Sequence, residues 1–418
     1  MSEQSQAFLR QLFERAVEVA DPMKSLAAHL PEKPDGRIVV IGAGKASARM
    51  AEAVEAAWGP CEGFVITRYG YARPCEGIEI VEAAHPVPDE AGRDATQRLL
   101  SYLEGLGEGD EVLALISGGA SALLTAPAGE ITLAEKQEVN QKLLSSGAPI
   151  GQMNVVRKHL SKVKGGQLAA AAYPAKMYAL LLSDVPGDDP AEIGSGPTVG
   201  DQSTADDVKA ILGQWEIQVP ESVREVLTKP TGVLSPDAPE LSRVTNKIFA
   251  APSQSLEAAK VLAEEKGFDV EILGDALEGE ARDVAAEQAR LARQRKAERA
   301  GSGKPLVLMS GGELTVTRRG NGVGGPNAEF ALALALALDG AEGITAIACD
   351  TDGVDGAAEV AGAVIGPDTL PKARAAGHSP EEALAQNDAH GFFERIGDQV
   401  ITGPTLTNVN DFRAILVE

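Results

Sequence analysis

The chain has 418 residues, which exceeds the size of one typical hydrophobic core and predicts two domains. Its formal net charge of −23 argues against nucleic acid or an anionic membrane as a partner, and no run of 18 apolar residues predicts a transmembrane helix. The cysteines (Cys61, Cys75 and Cys349) form no metal-binding pattern, and with the acidic, amphipathic N-terminus they indicate a reducing, cytoplasmic environment.

A strand–turn–helix unit follows the N-terminal segment. Residues 37–41 are predicted to form the strand, Gly42-Ala43-Gly44 the turn, and Lys45 opens the helix. The pattern resembles a dinucleotide-binding loop, but Ser47 replaces its third glycine and the next strand ends in Thr67-Arg68, without an acidic residue for a ribose. Because a cation at a helix start opposes the helix dipole, we interpret Lys45 as a residue that meets an anionic ligand.

A second unit of this kind spans residues 112–124. Val112–Ile116 is predicted to be a buried strand, and the turn Ser117-Gly118-Gly119-Ala120-Ser121 presents backbone N–H groups and two hydroxyls. Such a turn either binds an anion or is a plain β–α turn that needs glycine for its geometry. Upstream of it, His85 lies in a proline-stiffened loop, as a candidate base or as a structural histidine.

Cations are concentrated in residues 154–164, which is unusual in so acidic a chain. We predict a helix capped by Asn154, in which Arg157, Ser161 and Lys164 share one face through their i, i+4, i+7 spacing. A guanidinium and an ammonium on one face favour an anion pocket over a solvated basic surface.

Carboxylates follow the strand predicted at residues 177–182. Asp184, Asp188 and Asp189 come just past its carboxyl end, where open α/β sheets place their ligands. They are candidates to hold Mg²⁺ or to accept a proton. A loop-like segment then closes the first domain near residue 235, which gives domains over residues 1–235 and 236–418.

The second half repeats the arrangement of the first. An apolar strand precedes Ser310-Gly311-Gly312-Glu313, and the glycine-rich loop 320–325 precedes an apolar helix, a pattern that provides phosphate cradles. Asp350, Asp352 and Asp355 cluster at the end of a buried strand, where they either bind a magnesium–nucleotide complex or form turns.

Together these features match the requirements of phosphoryl transfer. That reaction needs backbone N–H groups and cations for phosphate, carboxylates for Mg²⁺, and a carboxylate to orient a hydroxyl. The chain lacks a complete dinucleotide fingerprint, a nucleophile elbow and any Cys/His metal spacing. A cleft between two α/β domains would exclude water from the transfer.

The motifs resemble those of the D-glycerate kinases of the MOFRL type, the class II glycerate 2-kinases. The matching stretches are IGAGKASARMAEA, HPVPDEAG, LISGGASALL, MNVVRKHLSKVKGGQLA, LLLSDVPGDDPAEIGSGP, SGGELTVTRRGNGVGGPNAEFALALA, TDGVDG and ITGPTLTNVNDF. The resemblance implies an N-terminal Rossmann-like domain, a smaller C-terminal MOFRL-type α/β domain and an active site in the cleft between them. It also implies ATP-dependent phosphorylation of D-glycerate to 2-phosphoglycerate. Pro326 stands where many members have an arginine, which leaves open which cation serves the C-terminal loop.

The residue roles follow from these patterns together with the resemblance. The predicted catalytic residues are Lys45, Arg157 and Asp184. The predicted substrate-binding residues are Ser117, Gly118, Gly119, Ser121 and Lys164. The cofactors are ATP and Mg²⁺, and the residues predicted to bind them are Gly311, Gly312, Glu313, Asn327 and Asp352, with Asp188 and Asp352 as metal ligands. Which Ser-Gly-Gly turn binds glycerate and which binds ATP stays open.

Two alternatives belong to other functional classes. An NAD(P)H-dependent hydroxypyruvate reductase is disfavoured by the incomplete glycine fingerprint. A non-catalytic sugar-acid sensor is disfavoured by the aspartate clusters, because an anion binder gains nothing from carboxylates beside its ligand. The expected partners are the small molecules D-glycerate and ATP. The sequence leaves the oligomeric state open, with a homodimer as one option.

Overall fold

The computed structural model describes residues 3–299, 303–356 and 358–418. The strands in these residues are, in chain order, β1 (Ile38–Ala43), β2 (Glu62–Arg68), β3 (Ile78–Ala83), β4 (Glu111–Ile116), β5 (Lys176–Leu182), β6 (Val244–Ala250), β7 (Asp269–Gly274), β8 (Leu306–Ser310), β9 (Ile344–Asp350), β10 (Gly362–Ile365), β11 (Gln399–Val400) and β12 (Asp411–Val417).

Helices alternate with most of these strands. The α-helices are, in chain order, α1 (Glu3–Ala20), α2 (Pro22–Ser25), α3 (Ser47–Trp58), α4 (Glu90–Leu103), α5 (Ala120–Leu123), α6 (Leu133–Ser146), α7 (Ile150–His159), α8 (Gln167–Ala172), α9 (Ala205–Gln214), α10 (Glu221–Val226), α11 (Pro252–Glu265), α12 (Ala281–Glu298), α13 (Pro326–Leu338), α14 (Thr369–Ala375), α15 (Pro380–Ala385) and α16 (Ala389–Ile396). Short 3₁₀ helices cover Leu26–His29, Pro186–Asp188, Ile193–Ser195 and Pro239–Leu241. Within the described residues, no helix combines the length and apolar character needed to cross a membrane.

The chain divides into two compact units. One unit is Pro22–Phe249, and the other joins the residues up to Asp21 to Ala250–Glu418. The observed division therefore differs from the domain boundary that we predicted at residue 235. It lies further along the chain because β6 completes the first sheet, next to β5. The N-terminal helix α1 belongs to the second unit because its apolar stripe packs on the second sheet.

The first unit contains a six-stranded sheet with the order β3-β2-β1-β4-β5-β6. The pairs β3–β2, β2–β1, β1–β4 and β4–β5 are parallel, and the central strands are almost entirely buried, as expected of a sheet covered on both faces. The chain moves outward from β1 to β2 and then returns to β4, so the loops after β1 and β4 diverge at a topological switch point. This arrangement confirms the Rossmann-like α/β prediction.

The second unit contains a six-stranded mixed sheet with the order β11-β10-β9-β12-β8-β7. Only the β7–β8 pair is parallel among the pairs that the structure describes, and β12 lies antiparallel between β9 and β8. Helices α1 and α11 cover one face, and α12 and α13 cover the other. This confirms a second α/β domain.

Candidate active site

The loops after β1 and β4 meet at the switch point of the first sheet. The Lys45 backbone N–H donates to the Gly118 carbonyl oxygen at 2.8 Å, and the Ser117 N–H donates to the Ala43 carbonyl oxygen at 3.2 Å. The Ser117 hydroxyl is fully buried and accepts a hydrogen bond from the Ala46 N–H at 3.0 Å. The structure therefore brings Lys45 and the Ser117-Gly118 turn together and gives the Ser117 side chain a scaffolding contact, while their predicted roles in catalysis and substrate binding stay predictions.

Gly119 lies where two site side chains approach the turn. Its φ of +83° falls in the left-handed region. A β-carbon at this position would lie 3.1 Å from His85 Nε2 and 3.2 Å from Lys45 Cγ. The position therefore requires glycine both for its conformation and for close packing. The contact also places His85, which the sequence left ambiguous, beside Lys45.

A chain of polar contacts joins α5 to α7. The Ser121 and Ser195 hydroxyl oxygens are 2.7 Å apart, and the Ser195 hydroxyl donates to Asn154 Oδ1 at 3.3 Å. The Arg157 guanidinium donates to the same Oδ1 at 3.2 Å. The predicted residues Ser121 and Arg157 are thus connected through two residues, Asn154 and Ser195, that fix the direction of the guanidinium.

The predicted basic helix is shorter than expected. Helix α7 ends at His159, so Arg157, Ser161 and Lys164 do not share a helical face as predicted. Asn154 lies inside α7 and is not its N-cap. The helix stops because the segment after it is diverted by tertiary contacts, in which the Lys162 N–H donates to the Ala126 carbonyl oxygen at 2.8 Å.

Two buried lysines, Lys136 and Lys164, nevertheless come together with the half-buried Arg157, and we call these three residues the cation triad. Burial, and secondarily the charge of Arg157, lowers the pKa of Lys136 to about 8. Burial lowers the pKa of Lys164 well below its ordinary value, with further repulsion from Lys136 and Arg157. Burial also lowers the pKa of Arg157. These shifts indicate a local excess of positive charge that an anion would relieve.

Sequence reasoning missed Lys136. The residue lies on α6 between Leu133 and Val139, at a spacing of three on the buried face, with Leu143 four residues beyond Val139. A lysine within an apolar helical stripe was the available signal, since lysine is almost never fully buried without a partner.

Asp184 and Asp188 follow β5, at the same sheet edge as Ser117, since Ile116 of β4 pairs with Leu181 of β5. Asp184 is half-buried. Asp188 has a φ of +54°, and its Oδ1 is buried without a hydrogen-bond partner among the described residues. A buried carboxylate oxygen without a hydrogen-bond donor fits a cation, so Asp188 is suited to bind a divalent metal ion. The described residues contain no cluster of three metal-binding side chains, so such an ion would depend on phosphate oxygens and water as well.

In the second unit, the turn after β8 is occupied by protein contacts. The Arg413 guanidinium is fully buried and donates to the carbonyl oxygens of Gly311 and Gly312 at 2.6 and 3.0 Å. The Gly311 N–H donates to the Gly274 carbonyl oxygen at 2.8 Å. A β-carbon at Gly312 would lie 2.2 Å from the Leu277 backbone nitrogen. These glycines are therefore required for packing, and their predicted contact with a nucleotide stays a prediction.

The start of α13 is also occupied. The Asp355 carboxylate accepts from the backbone N–H groups of Asn327 and Ala328 at 3.0 and 2.8 Å, and His390 lies 3.0 Å from its Oδ2. The glycine-rich loop therefore does not leave this helix start open as the predicted phosphate cradle. The cause is a carboxylate 28 residues away in sequence, which supplies the negative charge that the helix dipole favours.

The remaining predicted residues of the second unit differ in exposure. Asn327 is buried and donates from its side chain to Asp411 Oδ1 at 2.6 Å. Asp352 is also buried, and its Oδ1 accepts from the Val354 N–H at 2.8 Å, which confirms a turn-forming role. Glu313 is exposed. Asp188 and Asp352, both predicted as metal ligands, belong to different units.

Comparison with known families and proteins is consistent with this architecture. Residues 8–228 match the family described as "Domain of unknown function (DUF4147)", and residues 306–411 match the MOFRL family. A putative hydroxypyruvate reductase from Agrobacterium vitis is 52% identical, over 98% of this chain and 94% of the relative. The D-glycerate 2-kinase of Thermotoga maritima is 39% identical, over 96% of this chain and 95% of the relative.

A solved structure also resembles this chain over its whole length. The crystal structure of a glycerate kinase from Thermotoga maritima matches with a TM-score of 0.90 and 37% sequence identity, and the match covers 100% of both chains. Agreement of sequence and fold over this length shows that the chain belongs to the MOFRL-type glycerate kinase family.

Proposed function

We propose that this protein is a D-glycerate 2-kinase, which transfers the γ-phosphoryl group of ATP to the C2 hydroxyl of D-glycerate. The observation that carries the proposal is the meeting of Lys45 with the Gly118–Gly119 turn at the switch point of the first sheet. The cation triad, joined to that turn through α5, supplies positive charge to a chain of net charge −23. The name of the Thermotoga maritima relative, a D-glycerate 2-kinase, supports the substrate and the position.

In the proposed reaction, the C2 hydroxyl oxygen forms a bond to the γ-phosphorus while the bond to the β–γ bridging oxygen breaks and ADP leaves. The hydroxyl proton passes to a carboxylate, for which we propose Asp184 past the end of β5. Lys45 neutralises charge on the transferred group. Arg157, held by Asn154, binds the carboxylate of glycerate together with Lys164 and the turn residues from Ser117 to Ser121.

Mg²⁺ would neutralise charge on the ATP phosphates, and Asp188 is the residue of the first unit that fits it. Because Asp188 Oδ1 lacks a donor, it can accept a metal ion without losing an existing hydrogen bond. We retain Asp352 as a second candidate, which would have to give up its contact with the Val354 N–H.

For the nucleotide we retain the residues of the second unit as proposals. Glu313 is the exposed member of this set. Gly311, Gly312 and Asn327 would act as a scaffold that shapes the surface beside it, given their contacts with Arg413 and Asp411.

A coupled assay of ADP release tests the proposal. We expect ADP release from ATP that depends on D-glycerate and on Mg²⁺. The names of the Agrobacterium vitis relatives favour one alternative, a hydroxypyruvate reductase, which would oxidise NADH or NADPH in the presence of hydroxypyruvate. Loss of nicotinamide absorbance with hydroxypyruvate, without D-glycerate-dependent ADP release, would replace the kinase proposal with the reductase.

A further inference from the structure

Two lysines of the first unit are buried to the same degree but have opposite surroundings. Lys158 is 1% exposed, and its ammonium contacts Glu192 at 3.0 Å and Asp201 at 2.6 Å. Lys136 is 3% exposed, and no hydrogen-bond or ion-pair partner for its ammonium is present among the described residues. Lys158 is therefore a neutralised structural cation, whereas Lys136 is a buried cation without a counter-ion.

The charged side chains that act on Lys136 and Lys164 are themselves cations, so they leave the positive charge uncompensated. The charge that acts on Lys136 from its surroundings is that of Arg157, and the charges that act on Lys164 are those of Lys136 and Arg157. Lys164 donates to the Leu124 carbonyl oxygen at 3.0 Å, and Arg157 donates to the Asn154 side chain. None of the three forms an ion pair with a described carboxylate. Burying unpaired like charges together opposes folding, so their retention calls for an anionic ligand.

Of the cation triad, Arg157 borders a cavity large enough for a small molecule. Arg157 lines a cavity of about 370 Å³ together with Pro86, Pro88 and the α6 residues Gln137 and Asn140. Gln137 donates to the Pro88 carbonyl oxygen at 2.7 Å and so holds the loop that begins at His85 against α6. The cavity thus lies between the helix that carries Lys136 and the loop that carries His85.

We propose that Lys136 is a specificity-determining residue, which completes with Arg157 and Lys164 a buried subsite for the carboxylate of the phosphoryl acceptor. The inference rests on the proposed function for the identity of the acceptor. A bound carboxylate would supply the missing negative charge, and a neutral polyol of the same size would leave the charges unpaired. The acceptor must therefore be an acid, and the selectivity against its neutral analogue is set by charge burial.

The test replaces Lys136 with methionine, an unbranched side chain one atom shorter that carries no charge. We expect Lys136→Met to raise the KM for D-glycerate at least tenfold and to leave the KM for ATP within twofold. In anion-free buffer, the variant should melt at the same temperature as the wild type or higher, because an unpaired buried charge is gone. Inorganic phosphate, used as a probe anion, should raise the melting temperature of the wild type and have little effect on the variant.

Two matched variants separate this role from a structural one. Lys142 lies on the same helix, exposed and 2.6 Å from Glu138, so Lys142→Met should leave both KM values and the phosphate response unchanged. Lys158→Met removes the partner of two carboxylates and should lower the melting temperature. If Lys136→Met also lowers it in anion-free buffer, Lys136 is a structural residue and the proposal fails.

Two further results would overturn the assignment. An unchanged phosphate response in Lys136→Met would show that the subsite does not use this residue. A raised KM for ATP with an unchanged KM for D-glycerate would place a nucleotide phosphate there instead of the acceptor carboxylate. The phosphate response needs no turnover, so an enzyme without glycerate kinase activity that still shows it would refute the proposed function and leave the anion subsite intact.

Discussion

Replacing Gly119 with alanine tests the geometry of the switch-point site. The residue has a φ of +83°, and an L-residue in the left-handed region costs about 1–2 kcal/mol. The new methyl group would lie 3.1 Å from His85 Nε2 and 3.2 Å from Lys45 Cγ, closer than ordinary van der Waals contact. One or both side chains must therefore shift by a few tenths of an ångström.

Such a shift has a predictable effect on turnover. Misplacing a catalytic group by about 1 Å costs roughly 100-fold, so a shift of a few tenths is expected to lower kcat/KM for D-glycerate about tenfold. That loss corresponds to about 1.4 kcal/mol of transition-state stabilisation. Steady-state kinetics with the coupled ADP assay measures it directly.

Gly105 provides the matched control. It has a φ of +76°, and a β-carbon there would meet no atom within 4 Å. Gly105→Ala should therefore lose about 1–2 kcal/mol of unfolding free energy from the same backbone strain while keeping wild-type kinetics. Wild-type kcat/KM in Gly119→Ala would refute the placement of Lys45 and His85 beside the turn.

Three other predictions test different parts of the molecule. Asp184→Asn should lower kcat by about 100-fold or more with the KM for ATP within about twofold, and retained kcat would remove Asp184 from the proton transfer. Asp355→Ala removes the acceptor for two N–H groups at the start of α13 and should cost about 2–3 kcal/mol in urea unfolding, whereas a loss under about 0.5 kcal/mol would contradict this cap. The pKa of Lys136 is lowered to about 8, so the folded state binds fewer protons than the unfolded state between pH 8 and 10.5. The wild type without anions should thus gain up to about 3 kcal/mol relative to Lys136→Met as pH rises through this range, and a flat difference would refute the burial of an unpaired ammonium.

The first sheet could be predicted from local patterns. Apolar runs that end in glycine turns locate β1 and β4, and the carboxyl ends of parallel strands meet at one edge. For this reason Lys45, the Ser117–Gly119 turn and the segment that carries Asp184 fall at neighbouring strand ends. The meeting of the two loops at the switch point follows from the strand order.

Tertiary contacts explain what local patterns could not predict. Helix α7 ends at His159 because the following chain pairs with residues near Ala126, a contact distant in sequence. By sequence alone, the start of α13 resembles a phosphate-binding site, but in the folded chain the Asp355 carboxylate accepts from its backbone N–H groups. The proximity of Lys136 to Arg157 arises only when α6 packs in the folded chain. The apolar stripe of α1 would suit either sheet by its pattern alone, and tertiary packing places it on the second sheet.

The most direct test of the central claim compares ADP release by the wild type and by Lys45→Ala, with ATP, Mg²⁺ and D-glycerate. The site described above predicts that the wild type releases ADP only when D-glycerate is present. It also predicts that Lys45→Ala lowers kcat by more than tenfold, about 1.4 kcal/mol of barrier or more. Wild-type turnover that does not require D-glycerate, or a loss under tenfold in Lys45→Ala, would contradict a glycerate kinase centred on Lys45.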